Sequence, residues 1–230
     1  MKKVLFLIII CCLSNLLLFS QNNDLVQDKY LIVLDIQEYY TINQLSESSA
    51  QKLMDSINYV ISKFNPNHVI YIRSLHRLLN LSLSRPFIYV SFDTSAMHFD
   101  KRLIVKNKQI FTKDDAYAFS INELNNFLKQ NDANQIVIIG LIAEECIYES
   151  LLGGKELGYD MYAMPEALVG KTQKSKNKAI KKLTGLGIKI ALDYYRENTL
   201  IFDDWKENHL KCLKTYPDYP QAVEGLTKLK

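Results

Sequence analysis

Short apolar runs alternate with amphipathic stretches between residues 28 and 192. The clearest run, at 136–139, consists of four β-branched residues and ends at Gly140. Uninterrupted apolar runs of this length are typical of strands buried on both faces, as in parallel sheets. Similar runs occur at 29–35, 68–73, 109–113, 159–164 and 187–192. Apolar residues at helical spacing lie between the runs, at about 43–64, 120–128, 146–157 and 171–183. Strands that alternate with helices predict an α/β fold with a parallel sheet.

Several ends of these elements are marked by particular residues. Ser120, with Glu123 three residues later, predicts a capping box at a helix start. Pro165 is expected to end the strand that precedes it, because proline cannot donate a hydrogen bond to a sheet. Residues 74–106 are harder to place. Within them, 87–92 is expected to form either another strand or part of a lid over the site.

The first 20 residues have the pattern of a secretory signal peptide. Lys2 and Lys3 form a short basic start, residues 4–19 are almost entirely apolar, and polar residues follow from Gln21. This order predicts cleavage after Ser20 and export to the periplasm or out of the cell. The alternative is an uncleaved membrane anchor. It is less favoured because the apolar stretch falls short of the roughly 20 residues that a spanning helix needs.

The rest of the chain has the size and charge balance of one globular domain. The sequence has 230 residues, of which 48% are hydrophobic, with only 8 glycines and 5 prolines. We predict one domain at 28–192 and a helical C-terminal tail at 193–230, which contains Trp205. Outside residues 1–20 there are 26 basic and 25 acidic residues. This balance gives no reason to expect a nucleic acid, or a membrane after signal cleavage, as a partner.

Cys146 stands where the strand at 136–139 passes through a short turn into a helix. Ligands of open α/β sheets bind beyond the carboxyl ends of the strands, and a helix N-terminus favours the thiolate form of a cysteine. Cys146 is therefore a candidate nucleophile. Two alternatives remain beside this one. Cys146 would be an inert core residue, or it would pair in a disulfide with Cys212, the other cysteine outside the signal segment.

Two more strands are expected to end at charged residues on the same edge of the sheet. Asp35 follows the run at 29–34, and Lys113 ends the run at 109–113. With Cys146 they would form a nucleophilic triad, in which the carboxylate takes the thiol proton and the ammonium holds the cluster together. The four histidines are scattered and no glycine-rich nucleotide motif occurs. We therefore expect no metal and no cofactor.

Three short motifs resemble those of the isochorismatase-like cysteine hydrolase family. The segment at 35–40 looks like the family's D-x-Q-x-x-aromatic turn, and 113–119 is similar to its K-x-x-x-x-A-F segment. Residues 140–146 resemble its G-[VL]-x-x-x-x-C turn, and the three motifs stand in the family's order. The resemblance implies a Rossmann-like three-layer α/β sandwich with a six-stranded parallel sheet. It also implies Asp35 as base, Lys113 as electrostatic partner and Cys146 as nucleophile.

The same resemblance implies a non-proline cis peptide in the turn before the cysteine. We place this bond at Ile142-Ala143, so that the amides of Ala143 and Cys146 would stabilise an oxyanion. The implied reaction is hydrolysis of a C–N amide or imide bond of a small molecule through a thioester. Family members often form dimers or larger assemblies, so a homo-oligomer is also implied.

The sequence differs from two branches of the family, and these differences narrow the expected activity. The nicotinamidase branch of the family has an Asp-x-His…His metal site near the second strand, which nothing after Arg73 reproduces. Isochorismatases proper, which are vinyl-ether hydrolases, lack the nucleophilic cysteine.

Tyr39, Tyr40 and Phe119 are candidates for an apolar substrate pocket, although aromatic residues at a sheet rim more often belong to the core.

Two other classes of function stand beside the hydrolase. One is an exported, catalytically inactive binding domain on the same scaffold, which would bury Cys146 or hold it in a disulfide. The other is a redox-sensing thiol, which requires an exposed cysteine and a resolving partner close to it. Cys212 is the candidate for that partner.

Overall fold

The computed structural model describes residues 28–43, 45–81, 83 and 88–191. The predicted signal peptide at 1–20, Cys212 and the predicted tail at 193–230 lie outside these residues. Within the described ranges, no helix is both long enough and apolar enough to cross a membrane.

Strands and helices alternate along most of the described chain. The strands are β1 (Tyr30–Leu34), β2 (Val69–Ser74), β3 (His76–Leu81), β4 (Ile88–Asp93), β5 (Ile110–Lys113), β6 (Gln135–Leu141), β7 (Asp160–Val169) and β8 (Lys189–Ile190). The α-helices are α1 (Glu38–Asn43), α2 (Glu47–Lys63), α3 (Asn122–Gln130), α4 (Cys146–Glu156) and α5 (Gln173–Gly185).

Six of these strands form one parallel sheet in the order β5-β2-β1-β6-β7-β8. The predicted α/β fold with a six-stranded parallel sheet is therefore confirmed. The central strands are apolar along their whole length because both faces of the sheet are covered. Residues of β1 alternate between the two faces, with Leu31 and Val33 packed against α2 and Ile32 and Leu34 packed towards α3, α4 and α5. This arrangement is the predicted three-layer sandwich.

The order of the strands reverses between β1 and β6. The chain leaves β1 towards β2 on one side, and it continues from β6 towards β7 on the other. Crevices outside the carboxyl ends of strands form at such reversal points in open α/β sheets. The carboxyl ends of β5, β2, β1 and β6 are therefore neighbours at the edge where a ligand is expected.

The segment at 74–106 contains a second, separate sheet. Strands β3 and β4 pair in antiparallel register, from His76 opposite Asp93 to Leu81 opposite Ile88. Of the two alternatives for 87–92, the structure has the strand, as β4, but this strand does not join the main sheet.

Two predicted boundaries are wrong. Ser120 does not cap α3, which begins at Asn122, because the Ser120 hydroxyl donates instead to the carbonyl of Tyr117 at 2.7 Å. Pro165 does not end β7, which continues to Val169. The proline is tolerated there because the pairing register between β6 and β7 shifts beside it, and such irregularities leave backbone groups out of the ladder.

A buried carboxylate, Asp100, ties the loop after β4 to the helices that follow β1. It accepts hydrogen bonds from the Thr41 hydroxyl at 2.6 Å and from the Arg102 guanidinium at 2.6 and 2.9 Å. Arg102 also pairs with Glu47 at the start of α2 at 2.8 Å. The hydrogen bonds from Arg102 are the main cause that lowers the pKa of Asp100 to about 2.

We expect Asp100→Asn to destabilise the fold in a pH-dependent way. Because the folded pKa lies below the ordinary value of 3.8, the stabilisation is complete above about pH 4 and disappears as the pH falls towards about 2. The loss at pH 7 should be on the order of 2 kcal/mol, as for hydrogen bonds to charged groups. Urea unfolding of both proteins at pH 7, 4 and 2.5 measures this difference. A difference that does not change with pH would rule out this role for the ionised carboxylate.

Candidate active site

Four polar side chains meet at the carboxyl ends of four neighbouring strands. Asp35 directly follows β1, Ser74 is the last residue of β2, Lys113 is the last residue of β5, and Cys146 begins α4 after β6. The structure thus brings together the three residues singled out in the sequence and adds Ser74 to them.

The ammonium group of Lys113 lies at the centre of this cluster. Its Nζ is 3.0 Å from Asp35 Oδ2, 2.7 Å from Ser74 Oγ and 3.5 Å from Cys146 Sγ. The Lys113 and Asp35 side chains are 1% and 2% exposed. A buried ion pair is tolerated where further hydrogen bonds satisfy both partners. The carbonyl of Asp115 also accepts from the ammonium at 3.1 Å.

Ser74 connects the two charges and was missed in the sequence. Its hydroxyl donates to Asp35 Oδ1 at 2.7 Å while it accepts from Lys113. The side chain of Gln37 holds Ser74 from the other side, since Gln37 Oε1 accepts from the Ser74 amide at 2.6 Å and Gln37 Nε2 donates to the Ser74 carbonyl at 3.0 Å. Gln37 is fully buried. Its position in the D-x-Q motif was the signal that could have drawn attention to this support.

Asp35 has an uncommon backbone conformation. Its φ is +59°, in the left-handed region that residues other than glycine rarely adopt, although aspartate does so more readily than most. The Asp35 amide donates to the carbonyl of Ile72 in β2 at 2.9 Å. The surrounding sheet therefore holds the backbone that carries this carboxylate.

The Cys146 side chain is a free, partly buried thiol. Burial is the largest cause that raises its pKa from 9.0 to about 11, and the negative charge of Asp35 raises it further. The positive charge of Lys113 lowers it, but by less. In this arrangement the resting state is a neutral thiol next to a carboxylate. Such a thiol must lose its proton to a base as it reacts.

The turn that leads to Cys146 contains a cis peptide bond, one residue earlier than predicted. The bond is Leu141-Ile142, not Ile142-Ala143. The expected role of the Ala143 amide is also wrong, because this amide donates to the carbonyl of Val169 at 2.8 Å. The reason is that β6 remains paired with β7 as far as Leu141, and the Ala143 amide adds one more bond to that edge.

Other amides of this turn remain free to donate. Among the described residues, the amides of Ile142, Glu144 and Cys146 have no hydrogen-bond acceptor, whereas those of Glu145 and Ile147 donate to the carbonyl of Ile142. The first amides of a helix have no partner within the helix. Ile142 and Cys146, at the two ends of the turn, therefore replace Ala143 and Cys146 as the candidate pair, and the Glu144 amide between them is a further candidate.

The three predicted pocket aromatics have different environments. Burial is the main cause that raises the pKa of Tyr40 to about 12, and interactions with Asp35 and Cys146 add to the rise, so Tyr40 lies near the cluster. Tyr39 is 39% exposed, and the ring of His76 lies 4.2 Å from Tyr39 and 5.2 Å from Tyr40. Phe119, by contrast, is a core residue.

Phe119 is excluded from the site by its packing beneath α4. Its ring stacks on Tyr159 at 5.7 Å, and a methyl group added at Gly154 of α4 would come within 2.8 Å of it. The preceding residue, Ala118, is held by a hydrogen bond from its amide to the Ser150 hydroxyl at 2.9 Å. The prediction that Phe119 lines the substrate pocket is therefore wrong.

The described residues do not fit the metal site of the nicotinamidase branch. At the end of β2, where that site would require an aspartate and a histidine, the hydroxyl of Ser74 already bridges Asp35 and Lys113. His76 lies between two tyrosine rings. No group of three or more histidine, cysteine, aspartate or glutamate side chains in the described part of the chain could hold a metal ion.

The fold is a Rossmann-like α/β fold, and the site lies where the strand order reverses, which is where ligands bind in open α/β sheets. The family model for the isochorismatase domain matches residues 29–192. The chain belongs to the isochorismatase family. It is thus a member of a family of hydrolases. No curated protein matches the sequence.

Solved structures share this fold at low sequence identity. A pyrazinamidase/nicotinamidase from Streptococcus mutans UA159 is 18% identical, with a TM-score of 0.57, over 71% of this chain and 99% of that one. An isochorismatase-like hydrolase from Alkaliphilus metalliredigens is 16% identical, with a TM-score of 0.57, over 73% and 97%. The MAR1 ribonuclease from Caenorhabditis elegans is 15% identical, with a TM-score of 0.54, over 83% and 91%. At these identities the similarity shows the fold alone.

Proposed function

We propose that this protein is an exported cysteine hydrolase that cleaves a C–N amide or imide bond of a small molecule through a thioester on Cys146. One observation carries the proposal. A buried ammonium, Lys113 Nζ, contacts both a carboxylate, at 3.0 Å, and a thiol, at 3.5 Å, where the strand order reverses. A base, an electrostatic partner and a nucleophile at one site fit nucleophilic catalysis.

In the first half of the reaction, Asp35 accepts the thiol proton as Cys146 Sγ bonds to the substrate carbonyl carbon. The carbonyl oxygen gains the negative charge, and the amides of Ile142 and Cys146 would donate to it. When the tetrahedral adduct collapses, the C–N bond breaks and the amine leaves with the proton that Asp35 held. The acyl group remains on Cys146 as a thioester.

In the second half, Asp35 accepts a proton from water as the water oxygen attacks the thioester carbonyl. The C–S bond then breaks, the acid product leaves, and Asp35 returns the proton to the Cys146 sulfur. The Lys113 ammonium contacts both Asp35 and Cys146, so it stabilises the negative charge as this charge passes from the carboxylate to the sulfur and back. Ser74 keeps the Asp35 carboxylate in place through its 2.7 Å hydrogen bond.

The substrate is expected to be small and to carry a carbonyl next to a flat apolar part. Tyr40 lies near the cluster, and its ring packs with those of Tyr39 and His76 to supply aromatic surface there. His76 Nε2 is buried without a hydrogen-bond partner among the described residues, so it is available to a polar group of the substrate. The structural neighbours suggest pyrazinamide and nicotinamide as first probes.

The test is a screen of amides and cyclic imides with the purified chain, with Cys146→Ala as the matched control. Primary amides are followed by release of ammonia, and cyclic imides by loss of their ultraviolet absorbance. We expect at least one compound to be hydrolysed by the native protein and left intact by Cys146→Ala.

The alternative, an inactive binding domain, predicts a different outcome. Compounds from the same screen would raise the melting temperature without being hydrolysed, and iodoacetamide would leave Cys146 unmodified until the protein unfolds. That pair of results would overturn the hydrolase proposal.

A further inference from the structure

The turn that carries Cys146 is attached to the next strand–helix connection through Glu144. Glu144 lies two residues before the thiol, and one of its carboxylate oxygens, Oε1, accepts two hydrogen bonds. The donors are the backbone amide of Lys171, at 2.8 Å, and the hydroxyl of Ser175, at 2.6 Å. Lys171 lies in the segment that joins β7 to α5, and Ser175 lies in the first turn of α5.

The start of α5 also has hydrogen bonds of its own. Thr172 and Ser175 form a capping box at the start of α5, in which the amide of each donates to the hydroxyl of the other at 3.0 Å. A capping box satisfies two helix amides at once and sets the direction of the first turn. Glu144 therefore binds to the ordered start of α5. Its negative charge is also favourable there, because the amino end of a helix carries a partial positive charge.

The space around the carboxylate is closely matched to it. A methyl group added at Gly170 would lie 2.4 Å from the second oxygen, Glu144 Oε2. This oxygen is buried and has no hydrogen-bond partner among the described residues. A buried oxygen without a hydrogen-bond partner costs free energy. The Glu144 side chain occupies this place in spite of that cost, so solvation at the surface does not explain its position.

The neighbouring Glu145 provides a contrast. Its carboxylate is 44% exposed and pairs with the Lys171 ammonium, which is 61% exposed. Exposed pairs of this kind contribute little to stability. Two consecutive glutamates in one turn thus have different roles, one attached to the protein interior and one at the surface.

We propose that Glu144 is a positioning residue for the nucleophile. It holds the turn from Ile142 to Glu145 against β7 and α5, together with the hydrogen bond from the Ala143 amide to Val169. In this way it fixes the Cys146 sulfur relative to Asp35 and Lys113, and the two candidate oxyanion amides relative to each other. Its effect on hydrolysis rests on the function proposed above, whereas its effect on the place of the thiol does not.

Four variants separate the length of the side chain from its charge. Glu144→Gln keeps the length and an acceptor oxygen, Glu144→Asp keeps the charge but is one methylene shorter, and Glu144→Ala removes the contact. Glu145→Gln is the matched surface control. We expect Glu144→Ala and Glu144→Asp to lower kcat by about 10- to 100-fold with little change in KM, as for small displacements of reacting groups. Glu144→Gln and Glu145→Gln should stay within about threefold of the native protein.

Alkylation of Cys146 by iodoacetamide, followed by peptide mapping from pH 7 to 10, gives a readout that needs no substrate. We expect the pH profile to change in Glu144→Asp and Glu144→Ala and to be preserved in Glu144→Gln and Glu145→Gln. Native profiles in all folded variants would overturn the positioning role. If Glu144→Ala does not fold, Glu144→Asp against Glu144→Gln decides the same question. If no amide is hydrolysed by the native protein, the proposed function fails while the alkylation profiles still decide the role of Glu144.

Discussion

Asp35→Asn is expected to slow hydrolysis by at least about 100-fold while it makes the Cys146 thiol easier to ionise. The loss of rate follows from removal of the base, since a positioned general base typically contributes a factor of 10² to 10⁴. The change in ionisation follows because burial and, after it, the negative charge of Asp35 raise the pKa of Cys146 to about 11. Asparagine removes that charge and leaves the Lys113 ammonium beside the sulfur.

The two effects have opposite signs, which makes the prediction specific. For each unit by which the thiol pKa falls, alkylation by iodoacetamide at pH 8 should accelerate by about threefold, because a tenfold gain in thiolate is partly offset by lower nucleophilicity. Peptide mapping restricts the measurement to Cys146. Unchanged hydrolysis in Asp35→Asn, or a pKa of Cys146 that rises, would contradict the assigned roles.

Gly140→Ala is expected to cause the largest loss of stability among single substitutions near the site. Gly140 has a φ of +124°, and a methyl group added there would lie 2.0 Å from the carbonyl oxygen of Leu34. Gly140 and Leu34 are paired across β6 and β1. The clash would therefore push apart the two central strands just before Asp35 and before the turn that leads to Cys146 (the nucleophile turn). We expect a loss of at least about 3 kcal/mol in the free energy of unfolding.

Two other glycines provide controls for this effect. Gly158→Ala tests the cost of a positive φ alone, since φ is +94° there but no atom lies within 4 Å of the added methyl group. Gly185→Ala has neither a positive φ nor a close neighbour. Urea unfolding should rank Gly140→Ala as far less stable than Gly158→Ala, with Gly185→Ala close to the native protein. Equal losses for Gly140→Ala and Gly158→Ala would show that the contact with Leu34 does not matter.

The main sheet and the cluster of Asp35, Lys113 and Cys146 were predictable because each residue stands at or shortly after the end of a strand. Asp35 directly follows β1, Lys113 ends β5, and Cys146 comes after the short turn that follows β6. Buried apolar runs reveal where parallel strands end, and the ends of neighbouring parallel strands lie on one edge. A charged residue or a cysteine at such a place stands out against an apolar background. Ser74 does not stand out, because serine is common at strand ends and its role depends on contacts with Gln37, Asp35 and Lys113.

The errors in the nucleophile turn have a different origin. Which amides of the turn are free depends on how far β6 stays paired with β7, and this pairing continues past an irregular register to Leu141. A residue pattern in β6 does not contain that information. Phe119 was misplaced for a similar reason, since whether an aromatic residue lines a pocket or the core depends on the helix above it. The contact with Gly154 of α4 decides this case.

The most direct test of a nucleophilic Cys146 is to trap the acyl group on its sulfur. The most rapidly hydrolysed amide of the screen is mixed with the protein, and turnover is stopped with acid within milliseconds to seconds. The mass of the Cys146 peptide is then measured by mass spectrometry. We expect an added mass equal to the acyl part of the substrate, which neutral hydroxylamine removes and which Cys146→Ala cannot carry. Hydrolysis that persists in Cys146→Ala, with no adduct on the Cys146 peptide of the native protein, would contradict a thioester mechanism.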